Sequence, residues 1–139
     1  MKVLKLSHIE EIAHRMATKQ MAWDEPIPDF GTRYPGKLES CLVQAFQTFD
    51  KRDLYPGLIN KAAVLFYLMI KNHPFINGNK RIAVTTMITF LLLNKKWLDV
   101  TNEEVYEIAV WVAKSNPKTK DGVILAIKNF IERSTRSIN

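Results

Sequence analysis

The nonapeptide HPFINGNKR, residues 73–81, joins two strongly apolar stretches, Lys61–Ile70 and Ile82–Leu93. Helices that are apolar around most of their circumference are typical of the interior of a domain. We therefore predict two central helices, Leu58–Asn72 and Lys80–Asn94, with the nonapeptide as their connection. Because packing surrounds both helices, this connection is expected to be rigid.

The connection contains a helix stop followed by a turn. Pro74 disfavours the α conformation at His73, so the first helix is predicted to end just before it. Glycine and asparagine tolerate positive φ, and Asn77-Gly78-Asn79 is therefore predicted to turn the chain. The next helix then starts with backbone N–H groups that have no partner within the helix, and such donors attract phosphate.

Two cations, Lys80 and Arg81, follow in the first turn of that second helix. Positive charge is unfavourable there against the helix dipole, which indicates that an anion binds nearby. Taken singly, His73 or the Asn-Gly turn is more often structural, as a helix stop or a common connection. Together, these residues predict an imidazole base facing an anion-binding loop.

The nonapeptide resembles the signature of the Fic and death-on-curing (Doc) family, His-x-Phe-x-(Asp/Glu)-(Gly/Ala)-Asn-(Gly/Lys)-Arg. The similarity continues upstream in YPGKLES and KAAVLFYLMIKN and downstream in IAVTTMITFLLLN, so that it covers about Tyr34 to Ser115. It implies an all-α Fic/Doc fold, in which the Fic-type loop joins the two central helices. We expect one Fic/Doc-like domain over residues 1–139, a length that suffices for one hydrophobic core.

The resemblance also implies a reaction, the transfer of part of ATP, with Mg²⁺, to a hydroxyl group on a protein substrate. His73 would act as the general base that takes the proton from the attacking Ser, Thr or Tyr side chain. Phe75 would anchor the loop in the core.

The resemblance implies that four consecutive residues, Gly78 to Arg81, bind phosphate. Backbone N–H groups of Gly78, Asn79 and Lys80 would bind phosphate oxygens, with the Asn79 side chain bracing the loop. Arg81 would bind the terminal phosphates through its planar set of donors.

Asn77 departs from the family pattern, because most relatives carry Asp or Glu there to coordinate Mg²⁺ through phosphate oxygens. An amide oxygen can bind magnesium, but it lacks the charge and binds the ion more weakly. The sequence therefore leaves two alternatives open, an active enzyme and a catalytically impaired protein that still binds nucleotide.

Lys80 stands where Fic proteins that transfer AMP usually have Gly. In the death-on-curing branch, this lysine accompanies an ATP bound in the opposite sense, which gives transfer of the γ-phosphoryl group. We therefore expect a toxin kinase of the death-on-curing type, with elongation factor Tu as the target that the family suggests. AMP transfer (AMPylation) is the alternative.

Many Fic proteins carry an inhibitory helix with the pattern (Ser/Thr)-x-x-x-Glu-(Gly/Asn). Ser7–Glu11 begins this pattern, but Ile12 follows where Gly or Asn belongs. Self-inhibition is therefore not expected, and the resemblance implies an antitoxin that inhibits the protein in trans.

The net charge of +6 and the pI near 9.5 would suit a nucleic-acid partner. The basic residues are dispersed in small clusters such as Lys95-Lys96, and a solvated basic surface is the simpler interpretation. DNA binding with a structural turn is the competing class.

No apolar run approaches the roughly 20 residues that a membrane crossing needs. We expect no membrane association, and no secretory signal is visible, so we expect a cytoplasmic protein.

Helical spacing predicts four further helices, which gives a compact bundle of about six. Their predicted features are a first helix Ser7–Ala22 with a capping box at Ser7–Glu10, a second marked by Leu38 to Phe49, a fifth behind the capping box Thr101–Glu104, and a sixth capped by Asp121. Trp97–Val100 is predicted as a short extended link, and Ser134–Asn139 is predicted to fray.

Three prolines exclude a helix interior between Asp24 and Gly36. The resemblance implies a short flap here, before residue 38, that holds the target chain by strand-like pairing, and an ordinary loop is an equal alternative. Cys41 is predicted to be a packing residue. His8 and His14 are predicted to be surface or partly buried residues without a role.

Overall fold

The structure, a computed structural model, describes residues 1–20 and 26–138. Six helical segments and two small antiparallel ribbons make up the regular structure of this part of the chain, which confirms the all-α prediction. The helices are α1 (Leu6–His8, a π-helical turn Ile9–Ala13 and His14–Gln20), α2 (Lys37–Phe46), α3 (Leu58–Asn72), α4 (Asn79–Leu93), α5 (Asn102–Lys114) and α6 (Lys120–Ser134). The strands are β1 (Thr48–Phe49), β2 (Arg52–Asp53), β3 (Lys96–Leu98) and β4 (Thr135–Ser137), and short 3-10 helices cover Phe30–Thr32 and Pro117–Thr119.

Helices α3 and α4 form the centre of the bundle, as predicted. Every residue of α3 from Lys61 to Ile70 is buried, and α4 is buried over most of its length. The bounds of α3 agree with the prediction at both ends, and α4 lies one residue earlier than predicted. The connection between them, residues 73–78, is therefore held at both ends by a buried helix.

A buried lysine fixes the start of α3. Lys61 is 2% exposed, and its Nζ donates hydrogen bonds to Oδ2 of Asp53, at 3.0 Å, and to the carbonyl oxygen of Tyr55. Asp53 belongs to the β1–β2 hairpin, whose two turn residues, Asp50 and Lys51, both have positive φ. The lysine therefore ties this hairpin to the central helix, since a buried ammonium group needs such partners.

The hairpin overturns the predicted length of the second helix. Helix α2 ends at Phe46, and Gln47 is extended, so the chain turns into β1. Phe49 was expected on the buried side of this helix, yet it lies in β1 and is 77% exposed. The helical spacing of apolar residues continued past the real helix end, where the two positive-φ turn residues favour a tight hairpin.

The start of the first helix also differs from the prediction. Helix α1 begins at Leu6, so the predicted Ser7–Glu10 capping box is wrong. The backbone N–H of Lys5 instead donates to Nδ1 of His8 at 2.9 Å. The predicted end of this helix at Ala22 lies outside the described residues.

The amino-terminal caps of the last two helices give one confirmation and one correction. Thr101 and Glu104 form the predicted capping box, because each side chain accepts the backbone N–H of the other residue at 3.1 Å. Asp121, in contrast, is not the cap of α6. That helix starts at Lys120 directly after a 3-10 turn, which leaves Asp121 within its first turn.

The described part of the carboxy-terminal segment, up to Ile138, is paired with β3, and the prediction that the segment frays is wrong for these residues. Strand β4 pairs with β3, which contains Trp97 opposite Arg136. Leu98 of β3 is buried in the core, and the backbone N–H of Ile138 donates to the carbonyl oxygen of Lys95 at 2.9 Å. The pairing depends on a partner about forty residues away in sequence, which local patterns do not show.

Among residues 1–20 and 26–138, no helix combines the length and the apolar character that a membrane crossing requires.

Candidate functional site

The loop between α3 and α4 is bracketed by two residues with left-handed backbone conformations. His73 ends α3 at φ 48° and ψ 63°, and Gly78 starts α4 at φ 78°. A left-handed conformation costs a non-glycine residue about 1–3 kcal/mol and persists only where the surroundings enforce it. His73 is therefore held in a specific orientation at the rim of the loop, with its side chain exposed.

The Asn79 side chain enforces the shape of this loop. Its Oδ1 accepts the backbone N–H of Phe75, and its Nδ2 donates to the carbonyl oxygen of the same residue, both at 2.9 Å. Nδ2 also lies 3.5 Å from Nδ1 of His73. One amide thus satisfies both backbone groups of Phe75 and contacts the candidate base.

Phe75 is buried beneath the loop and 3% exposed. Its ring packs against Phe30, with centroids 5.8 Å apart, and against His14, at 6.0 Å. Nε2 of His14 lies 3.0 Å from the carbonyl oxygen of Pro28. His14 is itself buried, so the prediction that it has no role is wrong: it connects α1 to the anchor of the loop and to the segment before α2.

A sequence signal for the position of His14 was available. It neighbours Ala13 and lies three residues before Ala17, both of which are buried in α1. A polar residue beside such a buried stripe needs a hydrogen-bond partner, but the sequence does not name that partner.

The described part of the predicted flap, residues 26–36, contains a 3-10 turn at Phe30–Thr32 and no strand. It lies against the loop, because the backbone N–H of Tyr34 donates to the carbonyl oxygen of Pro74 at 2.9 Å. Asp24, where the predicted segment starts, lies outside the described residues. Strand-like pairing with a target chain stays a prediction.

A cavity of about 210 Å³ opens beside the loop. Five of the predicted site residues line it, together with apolar side chains from α3, the loop and α5. The described residues that line it are Ile70, His73, Ile76, Asn77, Gly78, Asn79, Lys80 and Ala113. The structure therefore brings the candidate base and the start of α4 to one cavity, which is smaller than the ~300–1,000 Å³ usual for small-molecule sites.

Arg81 is a predicted site residue that does not line this cavity. Its side chain is 2% exposed, and its Nη2 would lie 3.6 Å from a Cβ atom built on Gly78. The guanidinium group therefore lies close to the loop but is covered from solvent.

The Asn77 side chain forms one hydrogen bond within the loop and one to the segment before α2. Its Oδ1 accepts the N–H of Gly78 at 2.8 Å, and its Nδ2 donates to the carbonyl oxygen of Pro26 at 3.3 Å. A carbonyl oxygen has a second lone pair, so this Oδ1 keeps the capacity to bind a cation.

The described residues contain no group of three or more His, Cys, Asp or Glu side chains arranged for a metal ion. Oδ1 of Asn77 as a protein ligand fits an ion that arrives with phosphate oxygens, as Mg²⁺ does with ATP, since magnesium commonly uses few protein ligands.

Cys41 has the packing role that was predicted for it. It is fully buried in α2, and burial raises the pKa of its thiol despite a contact between Sγ and Nδ2 of Asn72 at 3.9 Å. A thiol in such surroundings is a poor nucleophile.

Comparison with known proteins bears directly on this arrangement. The model of the Fic/DOC family matches residues 3–91. The chain belongs to the Fic/DOC family. The matched region includes α1, which lies upstream of the similarity that the sequence motifs indicated, and it contains the whole loop between α3 and α4. In this Fic/DOC domain, the two central helices and the Fic-type loop therefore have the predicted arrangement.

The chain is also similar to a protein named Toxin Doc from Mycolicibacterium smegmatis (strain ATCC 700084 / mc(2)155). The two are 37% identical over 59 residues, which are 42% of this chain and 45% of that protein. The chain thus matches less than half the length of this relative. No solved structure shows significant similarity to the chain.

Proposed function

We propose that this Fic/DOC protein transfers the γ-phosphoryl group of ATP to a Ser, Thr or Tyr hydroxyl of a cytoplasmic protein. One observation carries the proposal: the exposed His73 and the first residues of α4 line the same cavity, on a loop that Asn79 holds in shape. Rigid, preorganised donors beside a base are what phosphoryl transfer requires, because the catalysis consists mostly of positioning and electrostatic stabilisation.

In the proposed reaction, His73 is the catalytic base. Its imidazole takes the proton as the hydroxyl oxygen attacks the γ-phosphorus, the bond between this phosphorus and the β–γ bridging oxygen breaks, and ADP leaves. The target hydroxyl must approach from solvent, and the exposure of His73 permits that approach.

The start of α4 binds the triphosphate in this proposal. Backbone N–H groups of Gly78, Asn79 and Lys80 lie at the positive end of a fifteen-residue helix, which favours phosphate oxygens. Lys80 and Arg81 add positive charge for the terminal phosphates. Oδ1 of Asn77 would be the protein ligand of a magnesium ion, whose charge would offset that of the phosphates.

Lys80 supports phosphorylation over AMP transfer. Its half-buried side chain lines the same cavity as His73, so it affects how a triphosphate is seated there. The resemblance associates a lysine at this position with γ-phosphoryl transfer. AMP transfer stays the alternative for the same set of residues, and a nucleotide-binding protein without transferase activity is the alternative if Asn77 disables the site.

The similarity to a protein named Toxin Doc supports a toxin that modifies a protein target and is inhibited by an antitoxin in trans. Elongation factor Tu is the target that the family suggests. Co-expression with a neighbouring antitoxin gene should relieve growth inhibition. Toxicity that no neighbouring gene product relieves would contradict this part of the proposal.

Incubation of the protein and a bacterial lysate with labelled ATP tests the reaction. Retention of a γ label on a protein band, with no retention of an α label, is the expected result. Retention of the α label would instead show AMP transfer. If neither label is retained, the chain is not an active transferase.

The variant His73→Ala is expected to abolish labelling, because it removes the base and leaves the phosphate-binding residues in place. Its thermal unfolding should stay close to that of the wild type, since the side chain is exposed. The matched control is His8→Ala, in α1, which should retain full labelling. Persistent labelling by His73→Ala would remove this residue from the base role.

A further inference from the structure

A short stretch before the 3-10 turn Phe30–Thr32, here called the cover segment (Pro26–Pro28), has a polar contact at each end that holds it near the loop. At one end, Nδ2 of Asn77 donates to the carbonyl oxygen of Pro26 at 3.3 Å. At the other end, Nε2 of His14 lies 3.0 Å from the carbonyl oxygen of Pro28. The residue between these two contacts, Ile27, is therefore presented to the loop.

Ile27 occupies the space in front of Gly78. A Cβ atom built on Gly78 would lie 2.6 Å from Cγ1 and 3.0 Å from Cδ1 of Ile27, which is closer than such atoms approach one another. The same Cβ position lies 3.6 Å from Nη2 of Arg81. Ile27 and the guanidinium group thus meet on one side of the glycine at the start of α4.

Neither Ile27 nor Arg81 lines the cavity at His73, and the two side chains meet beside Gly78. Arg81 is 2% exposed and Gly78 is buried, whereas His73 is exposed and Lys80 is half-buried. A phosphate group that binds Arg81 across Gly78 therefore has to displace the Ile27 side chain.

The departure from the family pattern at Asn77 has a role in this contact. Its amide accepts the N–H of Gly78 and donates to Pro26 at the same time. A carboxylate at this position can accept the N–H but has no hydrogen atom to donate to the Pro26 carbonyl. The asparagine thus makes a link between the loop and the cover segment that Asp or Glu cannot make.

We infer that the cover segment competes with the triphosphate for the anion-binding loop, with Ile27 as the competing group and Asn77 as its fastening. The inference rests on the proposed function, because it concerns access to the same phosphate site. The apparent affinity for ATP is then reduced by the fraction of molecules in which the segment is closed. Target or antitoxin binding that moves Pro26–Pro28 would change this affinity.

Substitution of Ile27 measures the competition. Ile27→Ala removes three carbon atoms from the contact with Gly78, and Ile27→Val removes one. At about 0.8 kcal/mol for each fully buried CH₂ group, a half-buried side chain gives an affinity increase of roughly tenfold for Ile27→Ala and roughly twofold for Ile27→Val. The matched control is Ile12→Ala, a 41% exposed isoleucine of α1 that is not part of the cover segment.

The experiment is isothermal titration calorimetry of ATP with Mg²⁺ into the wild type and the three variants, each first shown to be folded by thermal unfolding. The expected order of affinity is Ile27→Ala, then Ile27→Val, then the wild type together with Ile12→Ala. A second titration with inorganic tripolyphosphate should give the same order, because the competition involves phosphate and not the nucleoside.

Three outcomes are distinguishable. The expected order supports the inference. The inference is overturned if ATP binds with equal affinity to the wild type and both Ile27 variants. It is also overturned if Ile12→Ala raises the affinity for ATP as much as Ile27→Ala does. Either result leaves the proposed function intact. If none of the proteins binds ATP or tripolyphosphate, the proposed nucleotide function fails, and the competition fails with it.

Discussion

Asn79→Ala, in the loop between α3 and α4, is expected to lower the free energy of unfolding more than the same substitution at an exposed asparagine. The substitution removes two hydrogen bonds of 2.9 Å, one to each backbone group of Phe75. A net contribution of about 0.5–1.5 kcal/mol for each bond gives a loss of about 2 kcal/mol in the free energy of unfolding. Phe75 is buried, which limits the access of water to its freed N–H and carbonyl groups. Each lost bond should therefore cost an amount near the upper end of the range for one bond.

Urea denaturation monitored by circular dichroism measures this loss directly. For a domain of this size, about 2 kcal/mol corresponds to a decrease in Tm of roughly 8 °C. Asn129→Ala is the matched control, since Asn129 is exposed on α6, and its free energy of unfolding should stay within about 0.5 kcal/mol of the wild type.

A free energy of unfolding for Asn79→Ala within about 0.5 kcal/mol of the wild type, at an unchanged m-value, would refute the reasoning. The loop would then keep its shape without the amide, and the rigidity assigned to it would have another source.

Three further predictions concern other residues. Lys61→Met should lower the free energy of unfolding by about 1–3 kcal/mol in urea denaturation, because the Tyr55 carbonyl loses its donor; no change would contradict the buried link. Cys41 should react with a thiol reagent at pH 8 about 100-fold more slowly in the folded protein than in urea, since burial shields the thiol and raises its pKa; equal rates would contradict this. Asn77→Asp should lower the Mg²⁺ concentration for half-maximal labelling several-fold, because a carboxylate binds magnesium more tightly; unchanged metal dependence would exclude this position as a ligand.

The central helices could be predicted because their limits are set by local chemistry. Pro74 ends α3, and Gly78 permits the left-handed conformation from which α4 starts. Each signal lies within a few residues of the boundary that it fixes. The same holds for the capping box at Thr101, whose partner is only three residues away.

The features that sequence reasoning missed depend on distant partners. Strand β4 is ordered by β3, and His14 is placed by the carbonyl oxygen of Pro28 and by the ring of Phe75. In the sequence, Ile27 has the features of an ordinary loop residue, and its contact with Gly78 is visible only in the structure. Periodicity and turn chemistry predict the candidate base and the loop proposed to bind phosphate, but they do not show which side chains cover that loop.

The ends of the described chain are attached side by side, with a practical consequence for protein engineering. The backbone N–H of Lys2 donates to Oδ1 of Asn94 at 2.7 Å. The backbone N–H of Ile138 donates to the carbonyl oxygen of Lys95, the next residue along the chain from Asn94. Helix α4 runs about 22 Å from this point to the loop between α3 and α4, at 1.5 Å per residue. A circular permutant that links the two ends and opens the chain at the exposed Asp50-Lys51 turn should therefore fold, and a reporter fused at either end should not obstruct the candidate site.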